Sequence, residues 1–183
     1  KVACEDLGID GNDPAHPVQS DPGRAGVGRR RPDRSTPQEP RAEPGRVCPD
    51  RSVRAADGAP VVLMNAPLLE DGTPMPTLYW LVGGAEVHAV STLEADGGVN
   101  TVEAIIGLDA IDAIHVRYQE RRDAMIPATH DGPRPSAGVG GTRRGVKCLH
   151  AHFAHWLAGG DDSVGKWVAQ QLDERGVSYA QPL

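Results

Sequence analysis

Residues 138–156 gather the side-chain types from which sites are built. They read Gly138-Val-Gly-Gly-Thr-Arg-Arg-Gly-Val-Lys-Cys-Leu-His-Ala-His-Phe-Ala-His-Trp156. A glycine loop runs into an expected helix from about 143 to 158. Three cations sit at the junction, and one thiol and three imidazoles follow. Three chemistries suit this order. The first is anion binding: Gly140 and Gly141 lead into a helix start, where free N–H groups and the helix dipole favour negative charge, and Arg143, Arg144 and Lys147 add cations. No Gly-Lys-Ser or Gly-Lys-Thr closes the loop, so it is not a nucleotide-binding phosphate loop of that kind. The second is a metal site: Cys148, His152 and His155 stand at i, i+4 and i+7, share one helix face, and are ligand types that suit zinc. Cys4, Cys48, His130 or a water would supply the fourth ligand. The third is catalysis by Cys148 as a nucleophile, its thiol activated by a helix start and neighbouring cations. A buried cysteine and hydrogen-bonded histidines are also ordinary core residues, so these readings stay open beside a purely structural one.

A 3.6-residue period over that helix puts Leu149, Phe153, Trp156 and Leu157 on one apolar face. Arg144, Cys148, His152 and His155 fall on the neighbouring face, and His150 on the opposite margin. The elements around it follow from patterning. Pro60–Asn65 and Thr77–Val82 are short runs of strand formers, joined through the turn signal Glu70-Asp-Gly-Thr73, and predict an antiparallel pair. Tyr79 and Trp80 must then point to opposite faces, so at most one of them is core on a one-sided sheet. Asp71-Gly-Thr-Pro-Met-Pro-Thr-Leu-Tyr-Trp80 reads as a rigid turn feeding a core strand, or as a shaped loop docked beside the glycine loop. Val87, Val90 and Leu93 recur at helical spacing up to Gly97-Gly98. Ile111, Ile114, Tyr118 and Met125 form another stripe, with Asp109 as its expected N-cap; residues 99–107 either extend that helix backwards or form a separate turn. A last helix carries Val164, Trp167, Val168 and Leu172 behind Ser163 as expected N-cap. The expectation is an α+β fold: a small antiparallel sheet of two to three strands packed with about four helices.

Composition separates the chain into unlike parts. Residues 11–50 hold eight of the 16 prolines, seven arginines and six acids, but no Leu, Ile, Met or aromatic residue. Such a stretch cannot bury enough apolar surface to offset its ordering entropy, so residues 1–54 are expected to be largely disordered and 55–183 to form one domain. The net charge of −6 argues against a nucleic-acid protein held by charge. No apolar run is long enough to span a bilayer, and no charged-then-apolar leader opens the chain. Three scattered cysteines do not make a disulfide scaffold, which points to a reducing cytoplasm.

Several blocks carry a resemblance. They are "DGAPVV" at 57–62, "NAPLLEDGTPMPTLYWLVG" at 65–83, "STLEADGGV" at 91–99 and "GVGGTRRGVKCLHAHFAHWLAGGDDSVGKWV" at 138–168. In this order they resemble the domain of unknown function 501, an uncharacterised bacterial family of actinobacterial type. The resemblance implies no reaction. The family's "VKCLH" falls on Val146, Lys147, Cys148, Leu149 and His150, which adds His150 to Cys148 as a candidate catalytic residue. Two functions from different classes follow. One is a non-enzymatic binding or regulatory protein holding a phosphate-bearing small molecule, or an acidic protein partner, at 138–150. The other is a small enzyme that uses Cys148 with a histidine, or a zinc-type metal.

Overall fold

A computed structural model of the chain describes residues 52–183, so the expectations for residues 11–50, and for Cys4 and Cys48, lie outside the described residues. The sheet has three antiparallel strands in sequence order: β1 (Val53–Arg54), β2 (Pro60–Met64) and β3 (Tyr79–Leu81). β1 and β2 are joined at Asp57-Gly58, where the Asp57 carboxylate accepts from Ala59 N and Gly58 takes a left-handed φ of 87°. The folded part therefore reaches back to Val53, two residues before the expected start. β2 pairs with β3 in the register Val62 to Leu81, Leu63 to Trp80 and Met64 to Tyr79. As alternation requires, Tyr79 is buried at 2% exposure while Trp80 is 47% exposed. The Asp71 carboxylate closes the intervening turn by accepting from Thr73 N. Pro76 and Leu78 are fixed from below: the Tyr118 hydroxyl accepts from Leu78 N and donates to the Pro76 carbonyl.

Five α-helices follow, of which α4 packs on β3: α1 (Gly84–Ala95), α2 (Gly98–Ile106), α3 (Leu108–Asp123), α4 (Leu149–Leu157) and α5 (Ser163–Glu174). The α+β expectation holds, with one helix more than anticipated. Residues 98–106 are that extra helix, cut from α3 by Gly107 at φ 82°. Gly107, not Asp109, occupies the N-cap of α3, and Asp109 lies within its first turn. At α5 the N-cap is Asp162, whose carboxylate accepts from Gly165 N, and Ser163 is the first helical residue. One core joins Val61, Val62 and Leu78 of the sheet side to Val90, Ile114, Leu149, Phe153, Val164 and Leu172 of the helices.

The segment before α4 departs most from the sequence expectation. Residues 143–148 are not helical; α4 starts at Leu149, and Cys148 is its N-cap with extended φ −156° and ψ 149°. Gly145 turns the chain at a positive φ of 65°, and Val146 N donates to the Glu103 carboxylate of α2. Extending a 3.6-residue period back through Cys148 to Arg144 therefore fails. His115 of α3 pins the glycine loop at both ends, since its Nδ1 accepts from Val139 N and its Nε2 donates to the Gly145 carbonyl. Those two roles fix the neutral tautomer, and burial holds the ring below its usual pKa. The fully buried Arg122 anchors the preceding stretch through the Pro135 and Ala137 carbonyls and Asp123.

Candidate functional site

A cleft of about 270 Å³ opens between β3, α1, the glycine loop and the start of α4. Tyr79, Trp80, Leu81, Val87 and Ala151 give it apolar walls, and Thr77, Lys147, Cys148 and His150 give it polar ones. The local folding explains the grouping. β3 turns Trp80 outward, and Gly140, at φ 64°, brings bare backbone to the cleft edge. The cap position of α4 presents Cys148, and the first turn presents His150.

Of the residues expected to bind an anion, Gly140 and Lys147 border this cleft. Arg143 and Arg144 are exposed and do not line it, and Gly141 packs towards Pro76. Of the pair expected to do catalysis, Cys148 and His150 do meet at the cleft. The expected metal trio is not assembled. Cys148 stands at the cap, while His152 and His155 are buried on the far side of α4 against Asp162. His152 Nδ1 lies 2.8 Å and His155 Nδ1 3.0 Å from Asp162 Oδ2. Burial alone would raise the Asp162 carboxyl, but the two imidazoles outweigh it and hold the group well below the usual carboxylate range. This cluster joins α4 to α5 and belongs to the core.

What the sequence reading lacked is Glu94, near the end of α1. Its Oε1 accepts from Leu149 N, so it caps α4 across the fold, where Cys148 makes no side-chain cap. The same oxygen lies 3.2 Å from His150 Nδ1. His150 Nε2 is 3.2 Å from the Val87 carbonyl and 3.1 Å from Ser91 Oγ. The hydrogen bond with Cys148 and the nearby Glu94 charge push the His150 imidazole up to about 9, against the opposing effect of burial. Glu94 and Ser91 both fall in the block 91–99 that carries the resemblance, which was the one available signal for them.

No curated protein and no solved structure matches the chain. A family model does match, over residues 51–170, a span that takes in the sheet, the cleft and most of α5. The chain belongs to that family, described as "Protein of unknown function (DUF501)".

Proposed function

We propose that the chain is a small-molecule binding protein whose cleft beside Cys148 takes a ligand with an acidic group and an apolar body. The observation that carries this is the make-up of the cleft wall. Among the described residues that line it, Lys147 is the one lysine or arginine, and none is a carboxylate. Among the described residues Lys147 has no ion-pair or hydrogen-bond partner. A free ammonium at the rim of an apolar pocket attracts an anion, and the half-exposed Trp80 indole offers a flat face for the rest of the ligand. The anion reading thus moves from the arginines of the glycine loop to Lys147, with Gly140 as neighbouring backbone.

A second reading, thiol chemistry, is favoured by one observation: Cys148 is a free, part-exposed cysteine at a helix N-cap facing the cleft. Against it, the His150 nitrogens are not turned to Cys148 alone but are shared with Glu94 on one side and with Val87 and Ser91 on the other. A general base needs a nitrogen turned to its nucleophile alone.

Thermal-shift measurements at low ionic strength with phosphate, pyrophosphate and nucleotides test the binding reading, because a native-state ligand raises the melting temperature with concentration. The shift should survive Arg143→Ala with Arg144→Ala and disappear in Lys147→Ala. The opposite pattern would return the site to the arginines. No shift with any of these anions would refute anion binding.

A further inference from the structure

The His150 ring is locked in one orientation. Its Nε2 faces the Val87 carbonyl oxygen, which can only accept, so Nε2 carries the hydrogen of that bond. Nδ1 then faces the Glu94 carboxylate at 3.2 Å. A proton on Nδ1 joins the two in the free protein, and a metal ion that displaces it meets both donor atoms at once. The Cys148 sulfur closes the corner: one donor atom from each of Glu94, Cys148 and His150 lies within 4.8 Å of the others. Among the described residues no other set of His, Cys, Asp and Glu side chains converges in this way.

We propose that Glu94, Cys148 and His150 form a binding site for a zinc-type divalent cation, with one coordination position open to the cleft. The donor set of one thiolate, one imidazole and one carboxylate suits zinc, and three protein ligands with a free fourth position is the pattern of reactive rather than purely structural zinc sites. Bonds of about 2.0–2.3 Å to a tetrahedral ion place neighbouring donors roughly 3.3–3.7 Å apart. The Nδ1 to Oε1 separation is already close to that, and the sulfur lies within 4.8 Å of a donor atom of each residue. Both fixed ligands have outer partners that orient them: the Val87 carbonyl holds the His150 ring, and the Leu149 N–H holds the Glu94 carboxylate. Cys148 and His150 border the cleft while Glu94 does not, so the open side of the ion faces the cleft. Binding releases the protons of the thiol and of any charged imidazole to solvent. The Asp162 cluster differs, since its carboxylate is occupied by two imidazoles and the Gly165 N–H.

The site is tested without any cleft ligand, so its failure and that of anion binding are separable. The full chain carrying Cys4→Ser and Cys48→Ser is stripped with a chelator and titrated with zinc, and with cobalt as a spectroscopic stand-in. One equivalent should bind, with a thiolate-to-cobalt charge-transfer band that Cys148→Ser abolishes. His150→Gln and Glu94→Gln should each weaken binding by more than the roughly 10–100-fold typical of losing an outer partner. Glu94→Gln keeps an acceptor for Leu149 N, so the helix cap survives; His88→Ala, an exposed histidine outside the corner, should change nothing. On the unmutated chain, zinc should slow alkylation of Cys148 as located by mass spectrometry. No stoichiometric binding, a cobalt band that persists in Cys148→Ser, or alkylation of Cys148 indifferent to zinc overturns the proposal.

Discussion

Asp162→Ala removes one buried carboxylate that serves three groups at once. It deprives Gly165 N of its cap acceptor at the start of α5, a loss of about 1 kcal/mol. It also leaves the Nδ1 atoms of His152 and His155 without their partner in a buried site, at about 1–3 kcal/mol for each stranded polar group. The combined loss is about 3–7 kcal/mol, whose lower part coincides with the roughly 3–5 kcal/mol for removing one member of a buried ion pair. That is a large share of the roughly 5–15 kcal/mol that holds a domain of this kind. Urea unfolding followed by circular dichroism reads it as a lower midpoint at unchanged slope. Asp162→Asn separates the contributions, because its carbonyl still accepts from Gly165 N while its charge is gone. The wild-type carboxyl has a folded pKa below its unfolded value of about 3.9. Its contribution is therefore complete above the unfolded value and is lost as pH falls through the lower folded one. Below about pH 4 the wild type should lose stability more steeply than Asp162→Asn. An alanine variant less stable by under about 1 kcal/mol, with acid limbs identical in wild type and Asp162→Asn, would refute the reasoning.

Arg122→Met should cost about 2–5 kcal/mol, because the Pro135 and Ala137 carbonyls lose a buried donor, and proteolysis should begin to cut between 127 and 145. Leu78→Ala should cost about 2–5 kcal/mol in urea unfolding, since the side chain is fully buried. Trp80→Ala should leave stability within about 1 kcal/mol but reduce the anion-dependent thermal shift, its indole being an exposed cleft wall. Gly138→Ala puts a methyl group onto the His115 side chain and should destabilise the glycine loop, seen as faster hydrogen exchange at Val139 and Val146.

The strands, the helix stripes and the opposite facing of Tyr79 and Trp80 were legible because each depends on local patterning: strand-forming runs, a 3.6-residue period and the alternation of a pleated strand. The start of α4 was not. Its boundary is set by the left-handed Gly145 and by two acceptors far along the chain, Glu103 for Val146 N and Glu94 for Leu149 N. No helical wheel contains that information, and so the metal face drawn through Cys148, His152 and His155 dissolved. The imidazoles of α4 were correctly read as separated, with His150 apart from His152 and His155, because they lie within the regular helix. Ser163 and Asp162 are both good caps, and only the packed position of the Asp162 carboxylate between two imidazoles decides between them. Glu94 escaped notice because its role arises in tertiary contact, 55 residues from the backbone it caps.

The proposed binding surface is the cleft bordered by Lys147, Cys148 and His150, and not the arginine-bearing turn beside it. Amide and indole chemical shifts of the labelled full chain, followed during a pyrophosphate titration at low ionic strength, test it most directly. Binding in the cleft should give saturable changes at Gly140, Lys147, Cys148, His150 and Ala151 and at the Trp80 indole. Changes confined to Arg143 and Arg144, or no saturable change at the cleft, would contradict it.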